Sequence, residues 1–200
     1  MLNKKLGIVA IASTLSFSSV SYAGPSAEVL HWWTSGGEAK SVAVLQKEFS
    51  QNGGKWTDMP VAGGGGDAAM TALKARVLSG NAPAAVQLKG PSIQEWYEEG
   101  ALADISSVAK QNNWSKVLPG SIANHMKCEG KWCAAPVNVH RIDWIWANAS
   151  VLSSNGFGMP RTWEEFNATA KALQKKGIIP LAHGGQAWQD ATVFEAVALG

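Results

Sequence analysis

The chain has 200 residues, of which 46% are hydrophobic and 16% are charged, a balance that can bury a core. Its 17 basic residues outnumber its 15 acidic ones, but Lys4 and Lys5 account for the excess, and residues 24–200 carry 15 of each. A nucleic-acid-binding protein would be expected to show a basic excess, so the composition argues against that class.

The first 23 residues have the pattern of a signal peptide. Two lysines precede a short apolar run from Leu6 to Leu15, and the small residues Ser21 and Ala23 predict cleavage before Gly24. A membrane anchor is the alternative, but the apolar run is shorter than the ~20 residues that span a bilayer. We therefore expect an exported protein.

The next region alternates predicted strands and helices. A strand is predicted at Glu28–Trp33, and apolar residues at helical spacing predict a helix over Glu38–Gln51. The glycine run Gly63–Gly66 leads to a second helix with Asp67 as its N-cap, and Ala84–Leu88 has the short apolar pattern of a buried parallel strand. This alternation predicts an α/β fold with a parallel sheet covered on both faces.

Two cysteines flank the tip of a predicted hairpin further along the chain. Cys128 and Cys133 are separated by four residues. In an oxidising compartment such a pair indicates a disulfide, and two free thiols are the alternative. A metal site is disfavoured because no second Cys/His pair lies nearby at ligand spacing.

The last third of the chain continues with mixed elements. Ala135–Ala147 is predicted to be extended, and a helix is predicted from Thr162 to Lys176, with Thr162 and Glu165 at capping-box spacing. Ile178–Ala182 is predicted to be a short strand. Ala191–Gly200 has the pattern of the middle of a helix, so we expect the sequence to be part of a longer protein.

Ligands of parallel sheets bind beyond the carboxyl ends of the strands, which selects Trp32, Trp33 and the segment Gln87–Gly90. Adjacent strand residues face opposite sides, but both indoles can face one cleft where the strand gives way to a turn. An indole offers a flat apolar face to the C–H patches of a sugar ring. Two core tryptophans are the alternative interpretation.

Polar groups near this pair could bind sugar hydroxyls. Glu38, in the first turn of a helix, could accept two hydroxyl protons, and Gln87 and Lys89 follow the second strand. The alternatives are that Glu38 is only a favourable charge in the first turn of the helix, without a ligand, and that Lys89 is a solvated surface lysine. The Gly63–Gly66 run lacks the Lys-Ser/Thr of a phosphate-binding loop, which favours a mobile turn.

No catalytic set is evident in the sequence. It has no G-x-S-x-G motif and no pair of histidines at zinc-binding spacing. Glu164 and Glu165 could suggest a glycosidase pair, but adjacent helix residues point about 100° apart. We therefore predict a protein without catalytic residues, metal or cofactor, and keep a secreted glycoside hydrolase as the alternative class.

Three segments together resemble the extracellular solute-binding proteins of bacterial ABC-type sugar importers, and most of all their periplasmic glucose/mannose-binding branch. The resemblance extends from Leu30 to the last residue and rests on VLHWWTSGGEAKSVAVLQKEFSQNGGKW, LKARVLSGNAPAAVQLKG and PRTWEEFNATAKALQKKG.

The resemblance implies a two-lobed periplasmic-binding-protein-like (type II) fold with the sugar between the lobes, here incomplete at the C-terminus. It implies a signal peptide at residues 1–23, a first lobe at 24–137, and a crossing segment with the start of a second lobe at 138–200. The ligand-binding residues that it implies are Trp32, Trp33, Glu38, Gln87, Lys89, His140 or its neighbour Arg141, and Trp188.

The expected function is that of a monomeric periplasmic receptor, which delivers glucose or a similar aldohexose to the membrane permease of an ABC importer. An oligosaccharide- or polyol-binding protein of the same fold and a receptor that serves a chemoreceptor remain alternatives. Because members of the family are much longer than this chain, we expect these 200 residues alone not to bind sugar tightly.

Overall fold

The computed structural model describes residues 24–140 and 144–199. The predicted signal peptide at residues 1–23 and Arg141 lie outside these ranges. Within them, no helix combines the length and the apolar character needed to cross a membrane.

A three-stranded parallel sheet forms the centre of the first part of the chain. Its strands β1 (Ser26–His31), β2 (Lys55–Pro60) and β3 (Ala85–Val86) are arranged in the order β2-β1-β3. The sheet confirms the predicted parallel arrangement, although β3 is shorter than the predicted strand Ala84–Leu88. Strand β2 was not predicted, because its apolar residues do not alternate.

Helices cover the sheet and enclose its core. Leu30 of β1 packs with Ala69 and Leu73, and all three are almost fully buried. A 3-10 turn at Gly64–Gly66 precedes the second long helix, and Gly66, not the predicted Asp67, is the N-cap residue. The helices of this part are α1 (Gly36–Gln51), α2 (Asp67–Leu78), α3 (Ser92–Glu98), α4 (Ser106–Gln111), α5 (Trp114–Val117) and α6 (Gly120–His125).

The predicted cysteine hairpin is present and forms part of the core. Strands β4 (Lys127–Cys128) and β5 (Lys131–Trp132) pair antiparallel, and a disulfide joins Cys128 to Cys133 as the sequence indicates. Both cysteines are buried against Ile93 of α3. The hairpin therefore fixes α3 in place, beside the loop that follows β3.

The remainder of the described chain contains α7 (Ala149–Ser154), α8 (Trp163–Lys175) and α9 (Ala187–Leu199). Helix α8 begins as predicted, because the Thr162 hydroxyl accepts a 3.2 Å hydrogen bond from the backbone N–H of Glu165. The predicted strand at Ile178–Ala182 is wrong: this segment is irregular, and the described residues provide no strand beside it.

Candidate functional site

The carboxyl edge of the sheet brings the end of β1 close to the loop after β3. The backbone N–H of Gln87 donates to the Leu30 carbonyl at 2.8 Å, which extends the ladder between the two strands. The side-chain Oε1 of Gln87 then accepts a 3.1 Å hydrogen bond from the backbone N–H of Trp32. Gln87 thus fixes the backbone of Trp32 at the point where β1 ends.

The Trp32 ring lies against the glycine turn that precedes α2. A Cβ atom placed on Gly66 would lie 3.1 Å from Cδ2 and Cε3 of Trp32, so the ring packs directly on backbone. The Lys89 ammonium is 5.8 Å from the centroid of the same ring, within the range of a cation–π interaction. It also donates a 2.6 Å hydrogen bond to the Gly65 carbonyl.

Trp188, the second residue of α9, reaches the same turn from the other part of the chain. A Cβ atom placed on Gly65 would lie 3.2 Å from Cδ1 and Cγ of Trp188. The Trp188 side chain is 42% exposed, and its Nε1 donates a 2.8 Å hydrogen bond to Oε1 of Gln186. The structure therefore gathers four of the predicted residues around Gly65 and Gly66, namely Trp32, Gln87, Lys89 and Trp188.

Trp33 lies on the opposite side of the sheet from Trp32. Its side chain is 6% exposed and lines a pocket of about 230 Å³ beside α1. The ring of His140 contacts it edge-on, with 6.3 Å between the ring centroids. His140 in turn forms a 2.7 Å hydrogen bond with the Asn138 amide. These two predicted residues form a second group, apart from the glycine turn.

Glu38 is exposed in the first turn of α1, as the sequence indicates. Its carboxylate makes no hydrogen bond or ion pair with any residue that the structure describes. The structure thus leaves the carboxylate exposed to solvent.

A polar pair that the sequence analysis did not identify lies in the pocket beside Trp33. The buried His31 ring hydrogen-bonds through Nε2 to Asp58 Oδ1 at 2.9 Å. Burial acts to raise the pKa of Asp58, but hydrogen bonds from Trp56 and His31 and the charge of His31 hold this pKa below its ordinary value. The pair joins β1 to β2. It could have been found from the sequence only if the pairing of these two strands had been predicted.

A larger apolar pocket of about 610 Å³ opens beside Trp188, between α8, α9 and the segment at residues 144–146. It is lined by aromatic and aliphatic side chains, including Trp146, which is 89% exposed, and Phe166. Among the described residues, no cluster of three or more His, Cys, Asp or Glu side chains could hold a metal ion. The chemistry gathered here is suited to apolar ring faces and hydroxyl groups.

The carboxyl edge of a parallel sheet is where small ligands bind in such folds, and here it presents indoles and an ammonium group. Residues 33–199 match the family described as bacterial extracellular solute-binding protein, and the chain belongs to this family of binding proteins, not enzymes. The alternative of a secreted glycoside hydrolase is accordingly set aside.

Several similar relatives carry names that mention sugar. The chain is 48% identical over 198 residues to a "Probable sugar-binding periplasmic protein" of Rhizobium meliloti (strain 1021), covering 99% of this chain and 48% of the relative. It is 52% identical over 172 residues to a protein of the same name from Brucella melitensis biotype 1, covering 86% and 41%. The chain spans about half the length of these relatives.

Among solved structures, the chain is similar to a "Chitin oligosaccharide binding protein", with a TM-score of 0.64 at 20% identity. The match covers 83% of this chain and 42% of that protein. At this identity the likeness shows the fold alone. The likeness confirms the predicted two-lobed α/β fold of periplasmic binding proteins, and this chain makes up part of such a fold.

Proposed function

We propose that the complete protein is a periplasmic receptor that binds a sugar and delivers it to the membrane permease of an ABC importer. The observation that carries the proposal is the convergence of Trp32, Trp188 and Lys89 on one glycine turn at the carboxyl edge of the sheet. Indoles supply stacking surface for sugar C–H groups, and an ammonium group can donate to hydroxyls. The names of the relatives from Rhizobium and Brucella support the same ligand class.

The export signal and the names of the relatives support a periplasmic location. The predicted cleavage before Gly24 fits the observation that the first strand begins at Ser26. A disulfide between Cys128 and Cys133 agrees with an oxidising compartment. N-terminal sequencing of the protein released from the periplasm tests this part of the proposal, and a first residue other than Gly24 would contradict the proposed cleavage site.

Within this function, a monosaccharide such as glucose is our leading ligand. Its recognition would use Trp32, Glu38, Lys89 and Trp188, together with Gln87 and His140. Trp33 is the predicted member of this set that we instead expect to act as a core residue, because it is only 6% exposed. An oligosaccharide is the second candidate, because the apolar pocket beside Trp188 adds further aromatic surface along the same side of the molecule. The name of the similar chitin oligosaccharide binding protein describes that protein alone, and here it is only a reason to test oligosaccharides beside monosaccharides.

Calorimetric titration of the complete protein, followed in parallel by Trp fluorescence, tests both candidates. Glucose and mannose represent the first candidate, and linear oligosaccharides of two to six units represent the second. Saturable binding of a hexose supports the monosaccharide assignment, whereas binding of oligosaccharides alone would replace it. If no sugar changes the heat or the fluorescence, the receptor proposal fails.

Residues 24–200 alone serve as a control for the extent of the site. Because the chain spans about half the length of its relatives, we expect part of the sugar's contacts to come from elsewhere in the complete protein. The isolated segment should therefore bind glucose far more weakly than the complete protein. Micromolar affinity for the segment alone would contradict this expectation.

A further inference from the structure

Two consecutive glycines lie against two different indole rings. Gly65 and Gly66 both adopt left-handed backbone conformations, with φ of 57° and 111°. A Cβ atom on Gly65 would approach Cδ1 and Cγ of Trp188 to 3.2 Å, and one on Gly66 would approach Trp32 to 3.1 Å. Each glycine therefore contacts a different ring, and a methyl group at either position would displace that ring by a few tenths of an ångström.

The turn is also attached to the loop that follows β3. The Lys89 ammonium donates to the Gly65 carbonyl at 2.6 Å while lying 5.8 Å from the Trp32 ring centroid. A movement of the turn would therefore move the ammonium relative to Trp32. Three of the side chains that we propose for sugar binding, Trp32, Lys89 and Trp188, thus contact one piece of backbone.

The two rings come from distant parts of the sequence. Trp32 is held by the end of β1 through Gln87, whereas Trp188 belongs to α9. The two rings nevertheless lie against consecutive residues of one turn, Trp188 on Gly65 and Trp32 on Gly66, and neither glycine has a side chain to keep its ring away from the backbone.

We infer that Gly65 and Gly66 are positioning residues of the sugar site: they act as a backbone spacer that fixes Trp32 and Trp188 relative to each other and to Lys89. The assignment of a sugar to this site rests on the proposed function, whereas the positioning of the two indoles by the glycines does not. The competing explanation is that the glycines serve only to permit left-handed backbone angles.

Gly63 provides a matched control for that explanation. It belongs to the same glycine run and is also left-handed, with φ of 103°, but a Cβ atom there would lie more than 4 Å from the side chains and backbone of all described residues beyond its chain neighbours. Gly63→Ala therefore carries a backbone cost of the same kind without touching either indole. Comparison of Gly65→Ala, Gly66→Ala and Gly63→Ala in the complete protein separates spacing from backbone strain.

The first measurement needs no sugar. Labelling the tryptophans with ¹⁵N and assigning two indole N–H signals through Trp32→Phe and Trp188→Phe reports on each ring separately. We expect Gly65→Ala to shift the Trp188 signal, Gly66→Ala to shift the Trp32 signal, and Gly63→Ala to shift neither. Equal shifts from all three variants, or none from Gly65→Ala and Gly66→Ala, would overturn the inference.

The second measurement is affinity for the sugar identified by titration. Gly65→Ala should weaken binding roughly 2- to 100-fold, the range expected for coupling between contacting residues, and Gly63→Ala should leave it unchanged. In a Trp188→Ala background, Gly65→Ala should cause no further loss. An equal loss in both backgrounds would show that Gly65 does not act through Trp188, and would refute the inference for that residue.

The two measurements distinguish the two proposals. If the unmodified protein binds no sugar, the proposed function fails, and the indole signals still decide whether the glycines space the rings. If sugar binds but the indole signals respond equally to all three substitutions, the function stands and the spacer inference fails. A thermal unfolding curve for each variant confirms that the compared proteins are folded.

Discussion

Replacing Trp33 by alanine distinguishes a core tryptophan from a sugar platform. The side chain is 6% exposed, and a buried tryptophan removes about 150–250 Å² from water. At about 25 cal/mol per Å², burial of this area contributes roughly 4–6 kcal/mol. Truncations of buried aromatic residues cost about 3–5 kcal/mol, and we expect Trp33→Ala to lower the free energy of unfolding by that amount.

A platform would respond differently to the same substitution. Truncation of an aromatic binding residue lowers affinity by about 1–3 kcal/mol and leaves the stability of the sugar-free protein nearly unchanged. Urea denaturation followed by circular dichroism measures the stability of the complete protein, and titration under conditions where the variant is folded measures affinity. Trp33→Phe, which retains much of the apolar area, should recover most of the lost stability.

Trp32→Ala is the natural comparison because Trp32 is adjacent in sequence, only half-buried, and on the opposite side of the sheet. We expect it to affect affinity more and stability less than Trp33→Ala does. If Trp33→Ala instead costs less than about 1 kcal/mol of stability, the ordinary effect of a point substitution, and abolishes sugar binding, the burial argument for Trp33 is refuted.

Two further predictions concern stability. Reduction of the Cys128–Cys133 disulfide should lower the free energy of unfolding by only about 2 kcal/mol, because the sequence separation is 5 and the closed loop is short. Urea denaturation with and without dithiothreitol measures this difference, and an unchanged free energy of unfolding would contradict the prediction. The 2.5 Å hydrogen bond from Arg76 holds the pKa of Glu28 below its ordinary value, so its stabilising contribution is complete at neutral pH and is lost as the pH falls below about 4. Arg76→Gln should therefore reduce the acid dependence of the unfolding free energy, and an identical acid slope in both proteins would count against this assignment.

The long helices of the first part were predictable from local patterns, because α1 and α2 carry apolar residues at helical spacing. Strand β2 was not, because the sequence Lys55–Pro60 carries polar residues on both sides and is defined by its pairing with β1. The reverse error occurred at Ile178–Ala182, where a locally strand-like run forms no strand. Pairing is a property of two segments, and a local pattern describes only one of them.

The candidate site likewise contains some residues whose positions could be predicted from the sequence and others whose positions could not. The position of Gln87 and Lys89 near Trp32 follows from a general rule, since the carboxyl ends of parallel strands meet at one edge of the sheet. The approach of Trp188 to Gly65 follows from no local pattern, and only the resemblance to a known family directed attention to Trp188. The contrasting burial of Trp32 and Trp33 follows from strand alternation only if the extended backbone continues past His31, the last residue of β1.

The glycine run shows how a correct observation can lead to an incomplete interpretation. The sequence favoured a mobile turn at Gly63–Gly66, because the run lacks the Lys-Ser/Thr of a phosphate-binding loop. In the structure the missing side chains are what allow Trp188 to lie on Gly65 and Trp32 on Gly66. A side chain at either position would occupy space now filled by an indole, so the contacts absent from the sequence of the turn are supplied by rings from elsewhere. Glycine here offers the absence of a side chain as well as its backbone angles, and the comparison of Gly65→Ala with Gly63→Ala measures the two contributions separately.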